Sequence, residues 1–126
     1  MLGYRSFLVA VAVLVSLCLG ASPAMAATNS FNWSVRFLCC LDSRTWTQAK
    51  GSTTVLSTVD CEAGMEGRYT VTIWRGSTHY ATVYYACGRT QAYTWTALPA
   101  GTYHFHIEKA DDLVTVSGTG IVTYPS

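Results

Sequence analysis

Residues 68–86 have the sequence RYTVTIWRGSTHYATVYYA, two alternating runs joined by a short link around Gly76. In each run, apolar and polar side chains alternate with a period of two, and threonine, valine and aromatic residues dominate, which is typical of β-strands. Because glycine adopts positive φ angles without strain, the link favours a tight turn. The stretch therefore predicts a hairpin of two strands, at residues 68–75 and 79–86.

The same alternation recurs through most of the chain after residue 30. It predicts strands at 31–37, 53–59, 68–75, 79–86, 91–96, 102–109 and 114–124, with 44–49 as a weaker eighth strand. Beyond residue 26, no helix-length window repeats apolar residues at i, i+3, i+4 and i+7. Short strands with frequent turns are typical of a sandwich or a small barrel. We predict an all-β fold, an antiparallel β-sandwich of about seven to eight short strands.

Alternation also assigns a face to each side chain in three of these strands. The predicted core residues are Tyr69, Val71, Ile73, Ala81, Val83, Tyr85, Cys87, Tyr103, Phe105 and Ile107. The residues between them point outward, so Trp74, Tyr80 and Tyr84 are expected to share one outer face. His104, His106 and Glu108 are expected to line the outer side of their strand.

Residues 1–26 have the three parts of a secretory signal peptide: the positive Arg5, an apolar run at 7–20, and small residues before a cut after Ala26. The apolar run has 14 residues, fewer than the roughly 20 of a membrane-spanning helix. Leu17 stands where a lipoprotein would need a small residue before Cys18. We predict a cleaved signal-peptide helix, no permanent membrane anchor, and a single secreted, extracellular domain at residues 27–126.

Charge and motifs narrow the function classes. The formal net charge of +1 becomes zero once Arg5 is removed with the signal peptide. No basic stripe is present to neutralise phosphates, so nucleic acid is not an expected partner. The sequence has no Gly-x-Ser-x-Gly, no glycine-rich phosphate loop and no His-Glu-x-x-His. We therefore expect no cofactor and no catalytic residues.

Four cysteines remain after residue 26: Cys39, Cys40, Cys61 and Cys87. An even number in a short exported chain predicts disulfides, and four cysteines allow three pairings. Adjacent residues on a strand point to opposite faces, and a bridge between neighbours closes a strained ring. The two crossed pairings are therefore favoured over Cys39 with Cys40 and Cys61 with Cys87. A redox-active pair or a thiolate metal site is disfavoured, because no Cys-x-x-Cys is present.

Two groups of outward side chains are candidate binding sites. His104 and His106, spaced by one residue, could bind Zn or Cu if a neighbouring strand supplied a third ligand, although an ordinary polar face has the same pattern. Trp74, Tyr80 and Tyr84, with Trp95, could form a flat platform for a sugar ring or a protein. The alternative is that these rings form cross-strand pairs or lie under loops.

The segment Leu98-Pro99-Ala100-Gly101-Thr102-Tyr103 is a turn that leads into a strand. It resembles the L-x-x-G-x-Y strand start of secreted bacterial β-sandwich modules, including bacterial pre-peptidase C-terminal domains. The whole chain resembles small secreted β-proteins of Gram-positive bacteria. The resemblance implies a secreted sandwich and no defined activity.

Three functions follow as hypotheses. The first is a secreted non-catalytic module that binds an extracellular carbohydrate or protein through the aromatic face. The second is a disulfide-stabilised inhibitor or toxin-like protein that inserts a loop around Cys39 and Cys40 into an extracellular enzyme. The third is a metal-dependent enzyme that uses His104 and His106.

Overall fold

The structure is a computed structural model that describes residues 27–61, 67–109 and 115–126. These residues form nine strands and no helix: β1 Thr28–Phe37, β2 Cys40–Asp42, β3 Trp46–Gln48, β4 Gly51–Cys61, β5 Arg68–Arg75, β6 Thr78–Ala86, β7 Thr90–Leu98, β8 Gly101–Glu108 and β9 Val116–Pro125. The predicted all-β class is confirmed. The predicted signal peptide and Val114, the predicted start of the last strand, lie outside the described residues.

The strands form two antiparallel sheets packed face to face. The first sheet has the order β1-β9-β4-β7, and the second has the order β2-β8-β5-β6, with the short strand β3 also paired to β8. The hairpin predicted at Gly76 joins β5 to β6, and Gly76 has a φ of 60°. Strand β2 was not predicted, because three residues are too few to show an alternating pattern.

The core lies between the sheets and confirms most of the predicted inward residues. Tyr69, Val71, Ile73, Tyr85, Tyr103, Phe105 and Ile107 are buried. Two tyrosines of the second sheet also hydrogen-bond across the core to β4 of the first sheet. The Tyr69 hydroxyl lies 2.5 Å from the Ser57 hydroxyl, and the Tyr85 hydroxyl donates to the Val55 carbonyl at 2.7 Å. These bonds fix the sheets relative to each other as well as satisfying buried polar groups.

Burial also changes the acidity of these phenols. Loss of solvent raises the pKa of Tyr69 and Tyr85 above the ordinary value of 10. It raises the pKa of Tyr103 to about 12, with a further contribution from the neighbouring Tyr80 hydroxyl. All three side chains are therefore held in the neutral form in the folded protein.

The disulfide pairing differs from the prediction. Cys39 is bonded to Cys40, and Cys61 is bonded to Cys87. The crossed pairings were wrong because Cys39 lies in the turn between β1 and β2, where the strand alternation used to separate the two cysteines does not apply. Cys61, at the end of β4, and Cys87, just after β6, have Cα atoms 5.6 Å apart, within the usual range for a disulfide. This second bond links the two sheets.

The two ends of the sandwich differ. Cys61 is aligned with Val116, which is aligned with Phe37, so both disulfides lie at the end where β1 and β4 finish. Residues 27 and 126 lie at the other end, one strand length or about 30 Å away. There the Ser126 amide donates to the Ala27 carbonyl at 3.0 Å.

An irregularity in the β5–β6 hairpin changes which side chains face outward. Thr72 is aligned with Thr82, but Trp74 is aligned with His79, so Tyr80 and Ala81 together lie opposite Ile73. A bulge of this kind inserts one residue and reverses the alternation beyond it. Ala81 is therefore exposed rather than buried, and Tyr80 packs against the core.

Candidate functional site

The outer face of the second sheet is the candidate site, and strand register builds it. Because Tyr103, Phe105 and Ile107 point into the core, the residues between them point outward. Directly opposed residues of antiparallel strands lie on the same face, which gives three cross-strand rows. The rows are Cys40–Glu108–Thr70–Tyr84, Asp42–His106–Thr72–Thr82 and His104–Trp74–His79.

His104 and His106 both contact one carboxylate. His106 Nδ1 lies 2.7 Å from Asp42 Oδ1, a hydrogen bond in which the imidazole N–H donates. His104 Nε2 lies 3.6 Å from the same oxygen, and His106 Nε2 lies 3.6 Å from Glu108 Oε2. The cluster therefore offers imidazole donors and carboxylate acceptors side by side at the surface.

The third histidine does not join this cluster. Trp74 lies between His104 and His79 in the cross-strand row, and its ring centroid is 4.9 Å from that of His79. Across the described parts of the chain, no group of three or more His, Cys, Asp or Glu side chains is arranged to hold a metal ion. The structure thus brings His104 and His106 together around Asp42, which is hydrogen-bonded to His106.

Tyr84 is the aromatic residue that this face presents most openly, with 58% of its surface exposed. The Arg68 guanidinium carbon lies 4.4 Å from its ring centroid, a cation–π contact. Thr70 and Glu108 continue the same row, and the Thr70 hydroxyl donates to the Glu108 carbonyl at 3.3 Å. This end of the face therefore combines an exposed ring, a cation and a carboxylate.

The predicted four-ring platform is not present as such. Tyr84 and Trp74 lie on the outer face, but the bulge turns Tyr80 toward the core, where its ring centroid is 6.0 Å from that of Tyr103. Trp95, only 4% exposed, belongs to the first sheet, and its Nε1 donates to the Ala81 carbonyl at 2.8 Å. The expectation of one shared surface was therefore wrong for Tyr80 and Trp95.

A second exposed feature is the tip at residues 38–41, which comprises the turn after β1 and the first two residues of β2. Leu38 is 49% exposed and Leu41 is 38% exposed, and the bonded pair Cys39–Cys40 lies between them. The tip is anchored just beyond the end of β8, because the Lys109 amide donates to the Cys39 carbonyl at 2.8 Å. Four consecutive apolar residues at an exposed turn form a small hydrophobic protrusion.

The outer face of the first sheet is chemically different. Its three central rows consist of hydroxyl, amide and aliphatic side chains, and its charged side chains lie in the outer row Arg36–Ser117–Asp60. The central rows are Ser30–Thr123–Thr54–Thr94, Asn32–Ile121–Leu56–Ala92 and Ser34–Thr119–Thr58–Thr90. Several hydroxyls bond to one another, as between Thr54 and Thr94 at 2.7 Å. None of these twelve side chains is charged or aromatic.

Sequence reasoning missed Asp42, Arg68 and the two leucines. Arg68 could have been found, since alternation already places it on the same side of β5 as Trp74, and hairpin register brings it close to Tyr84. Asp42 could not, because 64 residues separate it from His106 and nothing local indicates that β2 pairs with β8.

No protein-family profile matches the sequence, and no curated protein matches it. Solved structures with a similar fold include a Bacillus endospore appendage from a family of disulfide-linked pili, at 12% identity and a TM-score of 0.49, covering 81% of this chain and 91% of that one. PliG of Aeromonas hydrophila, a periplasmic inhibitor of g-type lysozyme, has 10% identity and a TM-score of 0.44, with 81% and 89% covered.

A third is the CBM36-1 domain of a multidomain xylanase from the hindgut metagenome of Trinervitermes trinervoides, at 12% identity and a TM-score of 0.42, with 80% and 72% covered. At these identities the likeness concerns the sandwich fold alone. Within residues 27–61, 67–109 and 115–126, no helix is long and apolar enough to cross a membrane.

Proposed function

We propose that this protein is a secreted, non-catalytic module that binds an extracellular glycan or protein through the outer face of the second sheet. The contrast between the two outer faces carries the proposal. The first sheet exposes hydroxyl, amide and aliphatic side chains in its central rows, whereas the second exposes Tyr84, Trp74, three histidines and Arg68. Trp, Tyr and Arg are enriched among the few residues that dominate the binding energy of protein interfaces.

The way these residues are held also supports binding. They lie on paired strands rather than on long loops, and they contact one another, as Arg68 contacts Tyr84 and Trp74 contacts His79. Side chains that are ordered before binding lose less conformational entropy when the ligand arrives. A rigid sheet with ordered rings is therefore suited to recognition.

The test uses protein recovered from the medium of expressing cells, applied to a glycan array and to pull-down from extracellular extracts. Trp74→Ala and Tyr84→Ala are expected to reduce binding strongly. Thr58→Ala and Thr119→Ala, matched exposed changes on the first sheet, are expected to leave it intact. Unchanged binding in both aromatic variants would remove this face from consideration.

A second candidate function is inhibition of an extracellular enzyme by the tip at residues 38–41. Its support is the exposure of Leu38 and Leu41 on either side of the bonded cysteines. Inhibition of a panel of secreted hydrolases is expected to fall in the double variant Cys39→Ser/Cys40→Ser and in Leu38→Asp. The first variant leaves Cys61–Cys87 intact, so retained inhibition in a folded double variant counts against this function.

A further inference from the structure

The Tyr84 end of the outer face is concave. A depression of about 390 Å³ opens there, lined by Arg68, Tyr69, Thr70, Tyr84, Glu108 and Lys109. Sites for small organic ligands usually occupy about 300–1,000 Å³, so this volume suits a single unit of a polymeric ligand. Glu108 and Tyr84 are two strands apart, roughly 10 Å at the usual strand spacing, which sets the width of the depression.

The walls of the depression offer two kinds of contact. The Tyr84 ring presents a rigid carbon surface that can stack on the apolar C–H face of a sugar ring. Glu108 has 60% of its side-chain surface exposed and can accept hydrogen bonds from hydroxyl groups. Together they match the two surfaces of a pyranose, its apolar face and its hydroxyl rim.

The cation that a ligand can reach in the depression is Arg68. Arg68 is exposed, whereas Lys109 is buried, and Glu108 is the carboxylate among the lining residues. In the part of the chain that the structure describes, Arg68 makes no ion pair with a carboxylate, and its guanidinium rests on the Tyr84 ring. A guanidinium is a planar fork of donors that fits a carboxylate with two parallel hydrogen bonds.

We propose that this depression is a subsite for a carboxylated sugar, a hexuronic acid residue of an acidic polysaccharide. The pyranose stacks on the part of the Tyr84 ring that Arg68 leaves exposed, its carboxylate binds the outer edge of the Arg68 guanidinium, and its hydroxyls donate to Glu108. The inference rests on the proposed function, since it names the ligand class of the same face.

The experiment compares binding of a polyuronate with binding of the same polymer after its carboxyl groups are reduced to alcohols. We expect the reduced polymer to bind the unmodified protein about tenfold more weakly. Tyr84→Ala and Arg68→Gln should each weaken polyuronate binding by about tenfold or more, while Tyr84→Phe and Arg68→Lys lose less. Arg68→Gln should make little difference to the reduced polymer, because the carboxylate that the guanidinium contacts is gone.

Arg36→Gln is the charge-matched control, because Arg36 is an exposed arginine on β1 of the first sheet. Far-ultraviolet circular dichroism of each variant establishes that it is folded. If Arg36→Gln and Arg68→Gln weaken polyuronate binding equally, the attraction to the polyanion is unspecific and the subsite is overturned. If the protein binds both polymers equally and Tyr84→Ala weakens that binding, the ligand is not a carboxylated sugar, but the proposed function stays in place.

Two further outcomes are decisive. A protein ligand that depends on Tyr84, without any polyuronate binding, overturns the sugar subsite and keeps the binding face. Binding that no variant of this face alters overturns both proposals.

Discussion

Removing the Cys61–Cys87 disulfide should destabilise the domain far more than removing Cys39–Cys40. A disulfide acts largely by restricting the unfolded chain, and the restriction grows with the length of the closed loop. The cysteines are 26 positions apart in the first bond and one position apart in the second. The loop-entropy relation gives about 3.5 kcal/mol for the first and about 1 kcal/mol for the second.

The difference is large relative to the total stability of a small domain, which is about 5–15 kcal/mol. Cys61–Cys87 also joins the two sheets, so its loss frees one end of the sandwich. The double variants Cys61→Ala/Cys87→Ala and Cys39→Ala/Cys40→Ala form a matched pair, because each removes two sulfur atoms and one covalent bond. We expect the first to lower the free energy of unfolding by roughly three times as much as the second.

Urea denaturation followed by tryptophan fluorescence measures both changes. The first variant should also show a larger m-value, because its unfolded state is no longer crosslinked and exposes more surface. Equal losses of stability in the two variants, or a loss below about 1 kcal/mol in Cys61→Ala/Cys87→Ala, would refute the loop-length reasoning.

Three other predictions follow from the fold. Gly120→Ala should lower the free energy of unfolding, measured by urea denaturation, by roughly 1–3 kcal/mol, because the added methyl group overlaps the Leu56 carbonyl and the Trp33 ring. The control Thr119→Ala should change it by less than about 0.5 kcal/mol. Burial raises the pKa values of Tyr69, Tyr85 and Tyr103, so the stability that depends on their neutral forms should be fully present below pH 10 and decline as the pH rises toward the folded-state pKa values. Tyrosinate absorbance and circular dichroism, read together, should show that ionisation coincides with unfolding. Ionisation of these tyrosines within an intact fold contradicts this prediction. Metal analysis of untagged protein should find no stoichiometric Zn or Cu, because the described residues hold no group of three or more His, Cys, Asp or Glu side chains arranged for a metal ion. One equivalent of metal, lost in His104→Ala, would reverse this conclusion.

The fold was predictable where alternation is uninterrupted. Tyr103, Phe105 and Ile107 point inward along the whole of β8, and the assignment of His104 and His106 to the outer face follows from the same pattern. The prediction failed at Tyr80, where the bulge opposite Ile73 adds one residue without a glycine or any other local signal. A single inserted residue reverses the alternation, so the error passed to Ala81 as well.

The site was less predictable than the fold because its residues come from separate parts of the chain. The row Cys40–Glu108–Thr70–Tyr84 joins four strands, and only the β5–β6 pairing is local. The prediction of the cysteine pairing failed for a related reason. Strand alternation separates two neighbouring cysteines only if both lie on one strand, whereas Cys39 lies in the turn and only Cys40 lies on β2.

The adjacency of residues 27 and 126 determines how the domain would respond to mechanical force. Thr28 is aligned with Pro125 on neighbouring antiparallel strands, so a load applied at those two ends acts on the first pair of β1 and β9. Pulling them apart would open the pairs one after another, as in a zipper, instead of shearing the whole strand at once. The domain should therefore yield at low force from this end, while Cys61–Cys87 still holds the two sheets together at the other.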